Sequence, residues 1–253
     1  MPRPDATDKL AATAPAQTNR LIVGGLVAIL TLGAIFAAIF LGINNSSKNS
    51  STPAASGAGS VATASTATPK GATEFGGPMV VNPDAPANVP VVDIFEDPQC
   101  PICAQFEQIY GPIVKGLVQT NGAKLVVHTM TFLDTNLKND SSVRAANGAF
   151  CAADQGKFYE YMSQVYANQP AKEGTGYTDD QLAAFALKAG VADQPTWATC
   201  QATLKYKAHT LALETNTEKS GVTGTPTVKV AGQTIKLTGN ATDITDAVKA
   251  ATK

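Results

Sequence analysis

The apolar run Val91-Val92-Asp93-Ile94-Phe95 leads through Glu96-Asp97-Pro98-Gln99 into the pair Cys100-Pro101-Ile102-Cys103. This junction constrains the chain more than any other stretch. The branched and aromatic residues of the run suit a buried strand, and Asp97 and Pro98 end it. Pro101 fits the first turn of a helix, where its missing N–H is one of the orphans. Cys100 is thereby predicted to stand at a helix N-terminus. Unpaired N–H groups and the positive end of the helix dipole favour a thiolate there, so its pKa should fall from about 8.5 into the range of roughly 3.5–7.5. Cys103 lies one turn on and inward, within reach to close a small disulfide ring or to resolve a mixed disulfide made through Cys100. The expected catalytic pair is therefore an exposed attacking Cys100 and a buried resolving Cys103, with Pro101 and Ile102 as the intervening dipeptide.

A close cysteine pair is also compatible with a structural disulfide or with half of a zinc site. Zinc would want two further ligands, usually in a second close pair. The other cysteines, Cys151 and Cys200, are single and 49 residues apart, and His128 and His209 are isolated. No metal site is expected, and both histidines read as structural or solvent-facing.

Leu21 to Ile43 is a run of 23 residues without a charge, long enough to cross about 30 Å of hydrocarbon at about 1.5 Å per residue. It exceeds the usual apolar region of a cleavable signal peptide, the competing reading. Arg3, Lys9 and Arg20 precede it and Lys48 is the nearest basic residue after it. The positive-inside bias thus predicts a single-pass anchor with a cytoplasmic N-terminus and an extracytoplasmic domain. Met1–Arg20 reads as a disordered tail. Asn44–Thr73 reads as a flexible Ser/Thr/Ala/Gly/Pro stalk with a reach of roughly 30 Å. From Gly71 onward there are 14 Lys/Arg against 18 Asp/Glu, a net charge of −4, which argues against nucleic acid as a partner.

The domain from Glu74 to Lys253 should begin with an edge strand near Met79–Val81, followed by a central strand over Val89–Phe95. The helix from Cys100, kinked at Gly111-Pro112, is expected to lead to a strand over Leu125–Phe132 and so to a parallel crossover. Helical patterns then cover Ser141–Ala153, Phe158–Ala167, Thr178–Ala189 and Thr196 to about Lys219, an insertion spanning about 138–220. Thr178 and Gln181 form a capping-box pattern. A hairpin, Pro226–Val230 and Thr234–Leu237 around Ala231-Gly232-Gln233, and a helix over about Asp243–Ala251 close the chain.

This α/β order, the segment Phe95–Cys103 and the segment Gly221-Val222-Thr223-Gly224-Thr225-Pro226-Thr227 together resemble the DsbA-like family of extracytoplasmic thiol-disulfide oxidoreductases. The resemblance implies a thioredoxin fold with an inserted helical subdomain. It also implies a cis Thr225-Pro226 peptide lying against the active cysteines, whose backbone can pair with substrate. No cofactor is implied beyond the redox-active disulfide. The implied partners are exported unfolded or partly folded proteins and a quinone-linked membrane protein that reoxidises the enzyme.

Thioredoxins and many relatives carry an acidic residue six positions before the first cysteine, where this chain has Ile94, so a buried proton acceptor for Cys103 is expected to be missing. Asp93 should point to the opposite face. Glu96 and Asp97, at the strand's end, are candidates to tune the thiols or else are solvated. With no histidine between the cysteines, the helix N-terminus is expected to supply most of the activation. In an oxidising compartment the four cysteines suggest that Cys151 and Cys200 pair with each other, the alternative being two buried free thiols. The function expected is oxidation of exported proteins by the Cys100–Cys103 disulfide. A reductase or isomerase is the alternative within the class, and a non-catalytic binding module stapled by disulfides is the alternative outside it.

Overall fold

The computed structural model describes residues 66–252. The predicted tail, the apolar span and the stalk as far as residue 65 lie outside them. Among the described residues no helix is long and apolar enough to cross a membrane.

Strand β1 (Met79–Val80), strand β2 (Val91–Glu96), helix α1 (Pro101–Gln119) and strand β3 (Lys124–Thr129) follow in order. β2 pairs in parallel with β3, Ile94 opposite Val127 and Phe95 opposite His128. α1 supplies the crossover that a parallel pair requires. On its other edge β2 pairs antiparallel with β4 (Thr227–Val230), with β5 (Gln233–Thr234) beyond, so the sheet order is β1-β3-β2-β4-β5. α1 runs on through Pro112 and buries Cys103, Phe106, Tyr110 and Val114, a helical spacing that turns one face to the sheet. Helix α8 (Asp243–Ala251) buries Ile244 and Val248. It is tied back by the Tyr110 hydroxyl, which donates to Asp243 at 2.7 Å and accepts from the Gly239 N–H at 2.9 Å.

Between β3 and β4 lie helices α2 (Phe132–Leu137), α3 (Ser141–Ala153), α4 (Phe158–Ala167), α5 (Asp179–Lys188), α6 (Gln194–Ala202) and α7 (Lys207–Lys219). α3 is the hub. Its Ala, Ser and Gly residues are buried almost without exception, which lets α4, α6 and α7 pack close around it. A Cβ added at Gly148 would lie 2.3 Å from the Tyr161 hydroxyl, which is held in place by its bond to the Leu182 carbonyl. Gly148→Ala should therefore destabilise the domain by about 1–3 kcal/mol in denaturant unfolding, the usual cost of overpacking. α5 starts on the Thr178–Gln181 capping box.

The structure departs from the sequence reading in four places. Phe132 does not end a strand but starts α2. The single helix expected over Thr196–Lys219 is broken at Leu204, which adopts φ 48°. Beyond the break, Asn147 Oδ1 accepts the Tyr206 N–H at 2.8 Å and Asp154 accepts the Tyr206 hydroxyl at 2.6 Å. These tertiary anchors override a helix-compatible pattern. The second hairpin strand is only Gln233–Thr234, while Ile235 and Leu237 pack partly buried against the core. Lastly, the chain joins the domain before Thr73: Pro69 is buried, the Lys70 N–H reaches Asp154, and Ala72 bridges Met79.

Candidate active site

Cys100 is the N-cap of α1, in extended conformation with Pro101 behind it in the first turn. Its carbonyl accepts the N–H groups of Cys103 at 3.0 Å and Ala104 at 3.3 Å. Its Sγ lies 3.6 Å from the carbonyl oxygen of Thr225, and the Thr225-Pro226 peptide is cis. Residues 125 apart in sequence thus face each other across the site. Cys100 and Cys103 are not bonded to each other, so the structure is that of the dithiol.

Cys103 is fully buried. Cys100, expected to be exposed, is only 7% accessible, because the cis-proline loop lies over its sulfur. A partner must reach it through a small window beside the exposed Pro101 and Ile102, the latter 54% accessible. The Cys100 thiol is pushed down to about 6, first by the hydrogen bond from the Cys103 thiol, then by Thr225 and by the N–H groups of Cys103 and Ile102, against the cost of burial. The helix terminus therefore assists, but the partner thiol contributes most. Burial, and then its bond to Cys100, pushes Cys103 well up. Near neutral pH one sulfur is a thiolate and the other holds its proton.

Contacts from the insertion hold the loop that carries Cys100. Asp97, fully buried, accepts the N–H groups of Gln99 at 2.9 Å and Leu133 at 3.0 Å and the Ser142 hydroxyl at 2.6 Å. Gln99 Nε2 reaches Asp134, Asn139 and Ser142 at 2.8–3.0 Å. Gln169 Nε2 donates to the carbonyls of Pro98 at 2.7 Å and Cys100 at 3.0 Å, and the Tyr177 hydroxyl donates to Pro98 at 2.7 Å. Asp97 is thus neither solvated nor a carboxylate aimed at the thiols. Its side chain anchors the loop, and only its backbone N–H bonds to Cys103. Burial raises its carboxyl to about 7.

Glu96 corrects the expected lack of a buried acid. It lies on the same face of β2 as Ile94, two residues on, and is 3% accessible. Its charge is one cause of the raised Cys103. Burial, and then the neighbouring Glu107 carboxyl to which it is hydrogen-bonded, pushes Glu96 well above the usual carboxylate range. Asp93 points to the opposite face, where it binds His128 at 3.0 Å, and His128 stacks on Phe95. His209 is buried and accepts the Gly76 N–H at 3.0 Å; desolvation lowers it to about 4. Cys151 and Cys200 form a disulfide between α3 and α6. Among the described residues no group of three or more His, Cys, Asp or Glu is placed to hold a metal ion.

A thioredoxin family model matches residues 76–250. The chain belongs to the thioredoxin family. Reduced DsbG, a disulfide bond oxidoreductase from Mycobacterium tuberculosis (Mtb), is 28% identical. It aligns with a TM-score of 0.56 over 64% of this chain and 77% of its own. Oxidised Mtb DsbA is 27% identical, with a TM-score of 0.56 over 64% of this chain and 83% of its own. MdbA, a thiol-disulfide oxidoreductase from Actinomyces oris, shares the fold at 20% identity, with a TM-score of 0.61 over 72% of this chain and 88% of its own. A search of curated proteins found no match. Among thioredoxin-family proteins this one is a DsbA-like thiol-disulfide oxidoreductase.

Two parts of this thioredoxin-family site escaped the sequence reading. Glu107 lies four residues after Cys103 on α1, and that i, i+4 spacing was the available signal. Gln169 and Tyr177 had none, since only the folding of the insertion brings them to the Pro98 and Cys100 carbonyls.

Proposed function

We propose that this protein is an extracytoplasmic disulfide oxidase that transfers its Cys100–Cys103 disulfide to exported proteins. A substrate thiolate attacks Cys100 Sγ, the Cys100–Cys103 bond breaks, and Cys103 leaves and takes up a proton. A second substrate thiolate then attacks the substrate sulfur of the mixed disulfide and expels Cys100 as a thiolate. The substrate gains a disulfide, and the enzyme gains two electrons and one proton. Ile102 and the backbone of Thr225 and Pro226 border the window through which the substrate segment enters. A quinone-linked membrane protein, reached through an anchor at Leu21–Ile43, is the proposed reoxidant. The DsbA and DsbG names of the Mtb relatives support the class of chemistry.

The observation that carries the direction is Cys100 at about 6 beside a protonated Cys103. A group depressed in this way stabilises the reduced form above its own pKa and loses that contribution as pH falls through it. At pH 7 this makes the disulfide more oxidising by about 30 mV, one tenfold in a two-electron couple. Equilibration with glutathione should give a potential about 20–30 mV above the roughly −270 mV of thioredoxin. The slope should change from about −59 mV per pH unit below pH 6, where two protons are taken up, to about −30 above it, where one is. A potential at or below that of thioredoxin, or a single slope from pH 5 to 8, would exclude the oxidase reading.

A further inference from the structure

The second disulfide borders a groove. Cys151 lies in the last turn of α3 and Cys200 in the last turn of α6, and both line a surface groove of about 380 Å³, a volume that accommodates a small ligand. Thr196, Thr199 and Thr203 form one wall, where short side chains leave room beside the bridge. Asp154 and Lys205, paired at 3.0 Å, also line the groove. Their charges cancel, so size and not charge decides what enters. The two half-cystines differ as those of the active pair do. Cys200 is 7% accessible, the same as Cys100, whereas Cys151 is 2% accessible. Asn147 Nδ2 donates to Cys151 Sγ at 3.6 Å and to Gln201 Oε1 at 2.7 Å, and Asn147 Oδ1 accepts the Tyr206 N–H, so this amide is held in place. A hydrogen bond to the charged form of a group favours that form, and a thiol with a more stable thiolate leaves faster. Cys200 is therefore the sulfur open to attack and Cys151 the one equipped to leave.

We propose that Cys151–Cys200 is a second exchange site, open at Cys200 to low-molecular-mass thiols. A thiolate of that class enters the groove and attacks Cys200 Sγ. The Cys151–Cys200 bond breaks, Cys151 leaves as a thiolate beside the Asn147 amide, and Cys200 stays in a mixed disulfide. A second small thiolate attacks the outer sulfur of that mixed disulfide and expels Cys200. Two small thiols become one small disulfide, and the protons they shed on ionising end on Cys151 and Cys200. The same steps in reverse, with the small disulfide as oxidant, close the bridge again.

The partners of this site differ from those of Cys100. Among the described residues, none of the exposed large apolar side chains lines the groove, whereas Ile102 stands beside Cys100. A protein segment finds no apolar anchor there, while a small polar thiol finds hydroxyls and room. Opening the bridge removes the covalent tie between α3 and α6 and leaves the contacts around Cys100 in place, among them the Ser142 hydroxyl on Asp97. The level of small thiols around the protein would thus set the stability of the insertion without drawing on the active pair.

The test incubates oxidised full-length protein with reduced glutathione, a probe of this class, blocks free thiols with N-ethylmaleimide and maps both labels by mass spectrometry, with circular dichroism to follow the fold. Glutathione should be found on Cys200 and maleimide on Cys151, with the opposite labelling about tenfold rarer, since exchange follows access to the sulfur attacked. Thr199 is exposed, and its hydroxyl bonds the Pro195 carbonyl one turn back, so Thr199→Phe fills the groove from the surface. That variant should slow opening of the bridge about tenfold and leave reduction of Cys100–Cys103 at the parent rate. Two single variants, kept folded and with Cys100–Cys103 oxidised, give an independent reading: Cys151→Ser should expose a Cys200 thiol that reacts with dithiobis(nitrobenzoate), and Cys200→Ser should leave Cys151 unreactive. A bridge that opens only where circular dichroism shows unfolding, or equally fast in parent and folded Thr199→Phe, overturns the proposal. So does glutathione on Cys151 as often as on Cys200, or a Cys200 thiol as unreactive as Cys151 in the single variants.

Discussion

Cys103→Ser is expected to turn the enzyme into a trap. The Cys100 thiolate, roughly nine-tenths formed at pH 7 for a group titrating near 6, can still enter exchange, but nothing remains to resolve the mixed disulfide. Adducts with exported proteins should accumulate and vanish on reduction, as seen on non-reducing gels and by mass spectrometry. Cys100→Ser should trap nothing and lose essentially all exchange activity, because the remaining thiol is both protonated and sealed. In the parent dithiol, a small alkylating agent at pH 6 should label Cys100 at least about tenfold faster than Cys103, since only the thiolate reacts. Adducts through either cysteine alike, or Cys103 labelled first, would reverse the two roles. The window over Cys100 adds that bulky reagents should lag behind small ones by more than on a free thiol.

Removing the second disulfide is expected to cost stability and spare chemistry. Cys151 and Cys200 close a loop 49 residues apart in sequence, for which chain entropy gives about 4 kcal/mol. For a domain of this size that amounts to a fall in Tm of roughly 8–16 °C in the Cys151→Ser, Cys200→Ser double variant. The sole tryptophan, Trp197, lies one turn before Cys200 and donates to the Gly148 carbonyl at 2.9 Å, so its fluorescence follows this part of the fold. Exchange through Cys100 and Cys103 below the transition should be unchanged. A loss under 1 kcal/mol would mean that α3 and α6 hold together by packing alone, and loss of exchange in the folded variant would mean that this bridge takes part in the chemistry.

What could be read from the chain was local. The apolar run into β2, proline in the first turn of α1, the apolar stripe from Cys103 to Val114 and the Thr178 capping box each depend on residues a few positions apart, where backbone geometry and period settle the outcome. The closeness of the two cysteines, and hence their capacity to share a proton or a bond, follows from one helical turn. The segment around Thr225-Pro226 carried its own signature, although a sequence only permits a cis bond there.

The tertiary structure decided whatever depends on groups far apart in the chain. Glu96, at the strand's end, read equally as a tuner of the thiols or as a solvated residue, and it became a buried acid because α1 and α4 close over the face it shares with Ile94. Its partner Glu107 acquires a chemical environment only from that closure. Cys100 is covered because β4 returns beside β2 and brings Thr225 to its sulfur, and the loop before it is held by Gln169 and Tyr177 from the insertion. The helix expected over Thr196–Lys219 breaks where Asn147 and Asp154 capture Tyr206. Local preferences are worth a few tenths of a kcal/mol per residue, while burying a charge or leaving a polar group unpaired costs several times more. Wherever the two compete, long-range packing prevails, and in this chain that happens around the thiols.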